Sequence, residues 1–274
     1  MSVAVTILTN GKRRGDLDRC LASLRYGCRY RPLDIYILDN GSVDTTREYL
    51  DELEDGYGLR YHVKSLEEDV GCAAGTNMVS EMAREHDYVL HVESDFFHLP
   101  PEESGFDYLW LKDALDFVSS GRCDYLYLRR MMNEKEMMAH WWAQWMPKIN
   151  TFDKYMHCPG FWWSNNPHLR NNKAIYDRGI LPLDEKKDGP KGSEGWSKPE
   201  LEAGRPGLTW IAKWGVFVHE RDSLGDPGCS RVRGGKCKYG FSVDDGRFCK
   251  VCDLSKGIED MPEHQGRYCE QVRV

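Results

Sequence analysis

The sequence predicts an α/β fold, in which a mostly parallel sheet is flanked by helices and followed by a small cysteine-rich appendage. Three observations predict it. Up to about residue 100, short apolar runs alternate with stretches of helical periodicity, which is typical of a parallel layered sheet. The 274 residues are 41% hydrophobic and carry a formal net charge of −7, which excludes a disordered chain and allows a large core. Five of the ten cysteines lie from residue 229 onward, so this segment requires its own explanation.

The first 100 residues contain four predicted strands and three predicted helices. Runs rich in β-branched and aromatic residues predict the strands, which we place at 3–8, 34–38, 59–63 and 88–92. Apolar residues at helical spacing predict a helix at 17–24, after a candidate cap at Asp16. A second helix follows Asp44 at 49–53, and a third is expected at 73–86. These helices would cover the sheet.

The alternation loosens beyond residue 100. We predict a helix at 109–118, strands at 124–129 and 155–163, and a last strand pair within 209–218. The segment 184–195 is polar and contains three glycines and one proline, which predicts a mobile loop. No apolar run approaches the ~20 residues that span a bilayer, and the first strand lacks the basic flank of a signal peptide. We therefore expect a cytoplasmic protein without a transmembrane segment.

Acidic residues follow the second and fourth predicted strands. Asp39 and Asp44 bracket the first cluster, and Glu93 and Asp95 form the second. Because ligands bind beyond the carboxyl ends of parallel strands, both clusters should face one crevice. The first cluster is equally compatible with an ordinary turn that precedes a helix cap. In the second cluster, two carboxylates one residue apart would repel each other unless a cation or a proton intervened, which indicates a divalent metal site.

Four segments follow one another in a recognisable order. They are the opening strand at 3–10, the acidic turn at 38–44, Gly-Cys-Ala-Ala-Gly-Thr-Asn at 71–77, and Glu-Ser-Asp at 93–95. Together they resemble the glycosyltransferases of the GT-A fold, specifically the large family 2 type, and the resemblance extends over roughly residues 3–222. It implies a glycosyltransferase domain at 1–222, in which Asp39 recognises the base of a nucleotide-diphosphate sugar. The resemblance also implies donor contacts from Thr9, Asn10, Gly41, Ser42, Asp44, Gly71, Asn77 and Ser94.

The same resemblance implies a metal site and a catalytic base. Glu93, Asp95 and His219 would hold Mn²⁺ or Mg²⁺ against the diphosphate, and the imidazole would favour Mn²⁺. Glu194 would be the base, on the face of the sugar opposite the leaving group, so the reaction would invert the anomeric centre. Two residues depart from the family pattern, since Glu93 stands where Asp is usual and Gly195 replaces a second acid. His219 is also compatible with a hydrogen-bonded core histidine, and the loop around Glu194 with an ordinary surface loop.

Aromatic residues supply candidate contacts to the acceptor. Trp162, Trp163 and Trp196 would stack on a sugar ring or another flat acceptor, although such clusters are more often part of a core. The segment 166–170 resembles the Asn-Pro-x-Leu-Arg stretch of some family 2 members.

The C-terminal segment 223–274 is predicted to be a separate, zinc-stabilised appendage. Its candidate Zn²⁺ ligands are Cys229, Cys237, Cys249 and Cys252. The C-x-x-C pair at 249–252 is typical of a structural zinc knuckle, with disulfides or free thiols as the alternatives. The stretch from 229 to 252 contains six basic residues and two acidic ones. This local positive charge would suit a nucleic-acid acceptor with a hydroxymethylated base, but a solvated face around the metal is the favoured interpretation.

The sequence thus predicts an inverting, metal-dependent glycosyltransferase that moves a sugar from a nucleotide-diphosphate sugar, with UDP as the favoured nucleotide. The acceptor would be a hydroxyl of a glycan or of a modified nucleic-acid base. Two alternatives stay open. A sugar-phosphate nucleotidyltransferase shares the layered fold, but 9–15 lacks its Gly-rich phosphate loop. A non-catalytic carbohydrate- or nucleic-acid-binding module is compatible with Glu93 and Gly195. No G-x-G-x-x-G follows the first strand, which disfavours a dinucleotide oxidoreductase.

Overall fold

The computed structural model divides the chain into two compact units, Met1–Phe217 and Val218–Val274. The described residues are 1–10, 14–43, 45–99, 104, 106–129, 150–152, 154–157, 167–177, 209–212, 215–219, 243–244 and 248–249. Along them, no helix has both the length and the apolar character needed to cross a bilayer.

The first unit begins with strands and helices in alternation, as predicted. Their bounds are β1 Val3–Thr9, α1 Arg14–Gly27, β2 Leu33–Asp39, α2 Thr46–Asp51, β3 Leu59–Ser65, α3 Cys72–Met82 and β4 Tyr88–Glu93. The four predicted strands agree with these bounds to within two residues at each end. The helix predicted at 73–86 is shorter than expected and ends at Met82, because Ala83 leaves the helical region with φ −99° and ψ 13°.

The remaining elements are shorter. They are β5 Phe96–His98, α4 Trp110–Phe117, a π-helical turn Val118–Arg122, β6 Tyr125–Tyr127, β7 Asn150–Phe152, β8 Tyr155–His157, β9 His168–Asn171, α5 Asn172–Asp177 and β10 Thr209–Ala212. β11 Phe217–His219 begins at the end of the first unit. In the second unit, β12 Val243–Asp244 and β13 Phe248–Cys249 pair antiparallel.

In the described part of the chain, nine strands form one mixed sheet in the order β3-β2-β1-β4-β9-β6-β10-β8-β7. The strands β3, β2, β1 and β4 run parallel to one another. β9 is antiparallel to both of its neighbours, β4 and β6, whereas β6 and β10 are parallel. The predicted α/β sheet is therefore confirmed, and its parallel half carries both acidic clusters at one edge.

The two faces of the sheet differ in chemistry. Val5 and Ile7 of β1 face an apolar core that they share with Leu17 and Leu24 of α1. On the opposite face, Thr6 pairs across the sheet with His91, and its hydroxyl lies 3.0 Å from the imidazole Nδ1. This alternation follows from the two-residue period of a strand, which sends successive side chains to opposite faces.

One prediction about these elements is wrong, and one strand was not predicted. Asp16 does not cap α1, because the helix already begins at Arg14; Asp16 lies buried in the first turn, with Oδ1 3.1 Å from Arg19. The strand β9 was not predicted, because only Leu169 among its residues joins the apolar core, whereas His168 and Arg170 face the polar side. Such a strand has too few apolar residues to be recognised from periodicity.

Candidate active site

Three adjacent strands end together at the edge where the acidic clusters lie. β1 lies between β2 and β4, and the register pairs Thr9 with Asp39 on one side and Leu8 with Glu93 on the other. Neighbouring strands lie about 4.8 Å apart, so the backbones of Asp39 and Glu93 are separated by roughly 10 Å. A nucleoside diphosphate extends over a comparable distance, which makes this edge the candidate active site.

Asp39 is completely buried at the end of β2. Its Oδ1 accepts hydrogen bonds from the backbone N–H of Ser42, at 3.0 Å, and from the Ser42 hydroxyl. Its Oδ2 accepts no hydrogen bond from the described residues but lies 3.7 Å from Nε of Arg47. The carboxylate thus stabilises the turn that precedes α2, as the alternative interpretation of this motif predicts, and one of its oxygens lies against a guanidinium.

Asn40 joins the same turn to the start of α3. Its Nδ2 donates to Asp69 Oδ1, at 2.8 Å, and to the carbonyl of Gly71, at 3.3 Å. Its Oδ1 accepts from the N–H of Val70, at 2.9 Å. Asp69 Oδ1 also accepts from the N–H of Gly71, at 2.8 Å. All the hydrogen-bonding atoms of this buried amide are therefore used, which fixes the two loops to each other.

Glycines are required where these segments approach one another. Gly41 has φ 72°, and a Cβ there would collide with the backbone of Glu68 and Asp69. A Cβ at Gly75 would lie 2.8 Å from Leu8 Cδ1 and 3.4 Å from Asn40 Nδ2. Gly75 thus lets α3 lie directly against the end of β1, close to the acidic edge.

Glu93 ends β4, and both Glu93 and Asp95 are partly exposed. The Cys20 thiol of α1 lies 3.9 Å from the carbonyl of Glu93. Burial and the nearby charge of Asp95 raise the Cys20 pKa far above its ordinary value, so Cys20 is a neutral thiol.

The carboxylates of Glu93 and Asp95 have the chemistry that a hard divalent cation prefers. Among the described residues, no three His, Cys, Asp or Glu side chains come together as a metal site. A cation bound here would need further oxygen ligands from outside these residues, as Mg²⁺ and Mn²⁺ often obtain from phosphates and water. The donor set fits a cation that binds together with a diphosphate.

Several predicted site residues are not placed at this edge. Asp44, Trp162, Trp163, Glu194, Trp196, Cys229, Cys237 and Cys252 lie outside the described residues. For His219, at the end of β11, and Cys249, at the end of β13, the structure describes the backbone but not the side chain. The other predicted donor contacts have described positions: Asn10 follows β1, Asn77 lies in α3, and Ser94 separates the two acids.

Three features near this edge were not predicted from the sequence: Asp69, Arg47 and a buried polar row beneath the edge. The row crosses four strands and consists of Thr6, His91, His168 and Tyr127. Burial, followed by the charges of His168 and Arg170, keeps the pKa of His91 well below its ordinary value. The sequence signal for these features was limited to the position of Asp69, two residues before the 71–77 motif and within a run of three acids at 67–69.

Comparison with known proteins identifies a family. Residues 3–181 match the model of the family described as Glycosyl transferase family 2. A search of curated protein sequences finds no match.

Several solved structures are similar to the chain. S. aureus TarS 1-349 in complex with UDP-GlcNAc is 15% identical, with a TM-score of 0.52, over 80% of this chain and 58% of that one. The mannosyltransferase PcManGT from Pyrobaculum calidifontis, in complex with GDP-Man and Mn²⁺, is 11% identical, with a TM-score of 0.50, over 77% and 56%. GalNAc-T7 with UDP, GalNAc and Mn²⁺ is 13% identical, with a TM-score of 0.52, over 80% and 44%.

These identities show a shared fold and no more. The chain spans 44–58% of the length of those three proteins. The GT-A fold predicted from the sequence motifs is confirmed by this likeness together with the family match.

Proposed function

The chain belongs to glycosyl transferase family 2, and on that premise we propose that it is an inverting, metal-dependent enzyme that moves a sugar from a nucleotide-diphosphate sugar to an acceptor hydroxyl. The observation that carries the proposal is the register of β2, β1 and β4, which brings Asp39, Thr9 and Glu93 to one edge of the sheet. We take a UDP-sugar as the donor and a glycan or a modified nucleic-acid base as the acceptor.

The donor would lie along this edge. Asp39 would accept an N–H of the base, while Thr9 and Asn10 at the end of β1 would line the same pocket. The turn at Gly41 and Ser42 and the helix start at Gly71 would enclose the ribose side of the donor. The complexes of TarS with UDP-GlcNAc and of PcManGT with GDP-Man support a nucleotide sugar as the donor.

Glu93 and Asp95 would hold the cation, with His219 as a third ligand by its position in the family pattern. Mn²⁺ in the PcManGT and GalNAc-T7 complexes supports a divalent ion in this fold. A bound Mn²⁺ or Mg²⁺ would supply Lewis acidity to the leaving diphosphate.

The remaining chemistry is the transfer of a proton from the acceptor. As the acceptor oxygen forms its bond to the anomeric carbon and the bond to the diphosphate oxygen breaks, Glu194 would take the hydroxyl proton. General base catalysis of this kind contributes about 10²–10⁴-fold to the rate. Trp162, Trp163 and Trp196 would stack on the acceptor.

The C-terminal cysteines stay candidates for structural zinc, and the segment 223–274 a candidate appendage. Elemental analysis of freshly purified protein tests this part of the proposal. One zinc per chain is expected, and it should be lost in a Cys249→Ser and Cys252→Ser double variant. Protein that contains no zinc would remove this assignment without affecting the transferase proposal.

The activity itself is tested with a panel of UDP-, GDP-, CDP- and dTDP-sugars, with and without Mn²⁺. We expect one donor to be hydrolysed slowly to its nucleoside diphosphate, and only with the metal. Release of pyrophosphate from a nucleoside triphosphate would instead identify a nucleotidyltransferase. Binding without turnover on any donor or acceptor would identify a binding module.

Glu194→Gln tests the base within the same assay. Binding of the nucleotide sugar should be unchanged, while transfer should fall by about 10²–10⁴-fold. Glu185→Gln, in the same polar segment, is the matched control. Unchanged transfer in Glu194→Gln, with loss in the control, would move the base to Glu185.

A further inference from the structure

The Asp39 oxygen that would accept a hydrogen bond from a base, Oδ2, is covered by another side chain. Oδ1 is occupied by the N–H and hydroxyl of Ser42. Oδ2 is the atom left for an N–H of the donor base, and it is inaccessible to solvent. Among the described residues, Arg47 is the cation paired with Oδ2, with its Nε at 3.7 Å. This distance is an ion pair but too long for a hydrogen bond.

The segment after β3 holds Arg47 over Asp39. Its Nη2 donates to the carbonyl of Leu66 at 2.6 Å, and its Nη1 lies 3.5 Å from Oε1 of Glu67. The guanidinium therefore bridges the turn after β2 and the segment after β3. Its Nε is buried and donates no hydrogen bond to the described residues.

The two members of this ion pair differ in mobility. The backbone of Asp39 is fixed in the sheet, because Asn40 N donates to Thr9 O at 2.8 Å and Leu66 N donates to Asp39 O at 2.8 Å. Asp39 therefore cannot move towards a ligand without disrupting three strands. The Arg47 side chain is 36% exposed and has four rotatable bonds, so it can turn away when water replaces its contacts with Leu66 and Glu67.

We propose that Arg47 is a further residue of the donor site, a side chain that closes over Asp39 and must be displaced by the base. The inference rests on the proposed function, since it assumes that Asp39 recognises the base. Guanidinium and base compete for one oxygen, Oδ2. Arg47 thereby reduces the affinity for the nucleotide by the fraction of molecules in which it covers Asp39. It also keeps the buried carboxylate paired with a positive charge when no donor is bound.

The test compares Arg47→Met with the wild-type protein by titration calorimetry, with UDP and GDP as ligands in the presence of Mn²⁺. Methionine keeps an unbranched, flexible side chain as far as the position of Nε and removes the guanidinium. We expect the nucleotide that binds the wild type to bind the variant about threefold to fivefold more tightly, which corresponds to the loss of a partly exposed ion pair. Inorganic pyrophosphate with Mn²⁺, which has no base, should bind both proteins equally.

Arg84→Ala is the matched control, because Arg84 forms an exposed ion pair with Glu81 at 3.0 Å. Arg84 follows the C-terminal end of α3, whereas the candidate site lies at the start of this helix. Arg84→Ala should change neither affinity. If Arg47→Met does not fold, Arg47→Lys should tighten nucleotide binding in the same direction, since an ammonium cannot bridge Leu66 and Glu67 as the fork of a guanidinium does.

Three results would overturn the inference: weaker nucleotide binding by Arg47→Met, unchanged binding, or an equal gain for pyrophosphate. Weaker binding would mean that Arg47 itself binds the base. An equal gain for pyrophosphate would mean that Arg47 acts through its charge on any anion and not through Asp39. A wild-type protein that binds no nucleoside diphosphate would overturn the proposed function as well. Wild-type binding without a gain in the variant would overturn the role of Arg47 alone.

Discussion

The two acidic clusters at the edge of the sheet differ in how deeply they are buried. Asp39, at the end of β2, is fully buried, and Ser42 and Arg47 hold its carboxylate. Glu93 and Asp95, after β4, are partly exposed. The turn after β2 therefore acquires its shape from the protein's own contacts. Because Glu93 and Asp95 are partly exposed, a cation from solution would reach them more readily than Asp39, so the two clusters should respond differently to substitution.

The largest difference is expected from Asp95→Asn. Transfer should fall by about a thousandfold or more, because the carboxylate charge that would hold a cation beside the diphosphate is lost. The measurement is the Mn²⁺-dependent release of nucleoside diphosphate from the donor. Asp116→Asn, on the exposed surface of α4 where Asp116 pairs with Lys112 at 2.7 Å, should keep wild-type turnover. Wild-type turnover in Asp95→Asn would show that this cluster holds no catalytic metal.

Asp39→Asn should weaken the binding of the nucleotide through its base and leave the binding of the phosphates unchanged. The amide keeps the shape of the side chain but loses the charge that strengthens a hydrogen bond to the base, so UDP should bind about 10- to 100-fold more weakly. Calorimetric titration with UDP and with pyrophosphate separates the two contributions. An equal loss for both ligands would mean that Asp39 supports the turn and does not contact the base.

Asn40→Ala tests whether the contacts of the β2 turn hold its shape. The variant loses the hydrogen bonds to Asp69, Val70 and Gly71 and leaves the backbone N–H of Val70 without its side-chain acceptor. The free energy of unfolding should fall by about 1–3 kcal/mol in urea denaturation. Arg84→Ala should change it by less than about 0.5 kcal/mol, as is usual for an exposed substitution. A stable Asn40→Ala protein would show that the two loops hold each other by other contacts.

The smallest effect is expected for the pH dependence of stability. It arises from two buried histidines, His91 and His98, which flank the acidic cluster after β4 in the sequence. Burial lowers the pKa of His98 to about 4, and burial with the charges of His168 and Arg170 keeps that of His91 well below its ordinary value. The unfolded chain therefore binds more protons than the folded one below pH ~6.5, and stability must fall as the pH is lowered. We expect each of the two histidines to contribute up to about 2 kcal/mol to the loss of stability between pH 7.5 and pH 5.

Urea denaturation at several pH values measures this dependence. In His98→Gln the slope of stability against pH should be smaller than in the wild type, because one of the two buried imidazoles no longer titrates. Arg84→Ala, at an exposed position that carries no imidazole, is the control and should keep the wild-type slope. A wild-type protein that becomes more stable towards pH 5 would contradict the assignment of neutral, buried histidines.

The sequence predicted the parallel half of the fold well because its signals are local. The strands at 3–8 and 88–92 are compact runs of apolar residues, and both are observed at those positions. The strand β9 carried no such signal, since it joins the sheet through contacts with β4 and β6, which lie far away in the chain. Its polar residues His168 and Arg170 are buried only because neighbouring strands cover them.

The residues of the candidate site also fall into those that local sequence predicted and those that it did not. Asp39, Glu93 and Asp95 were predicted from their position after buried strands, and the register brings the backbones of β2 and β4 to one edge. The partners of Asp39 and Asn40 were not predictable to the same extent. Arg47 looks like any polar residue of an amphipathic helix, and Asp69 is one acid among several. The roles of Glu194 and His219 stay predictions.

By itself, the sequence determined where the parallel strands begin and end, and therefore which acids stand at their carboxyl ends, because strand formation and side-chain alternation depend on neighbouring residues. Only the tertiary structure decided that Arg47 covers Asp39 and that Asn40 binds Asp69. Those contacts depend on how β2, β3 and α3 come together. Side-chain partners brought together by packing leave no periodic pattern in the chain, and the accessibility of a site residue depends on such partners.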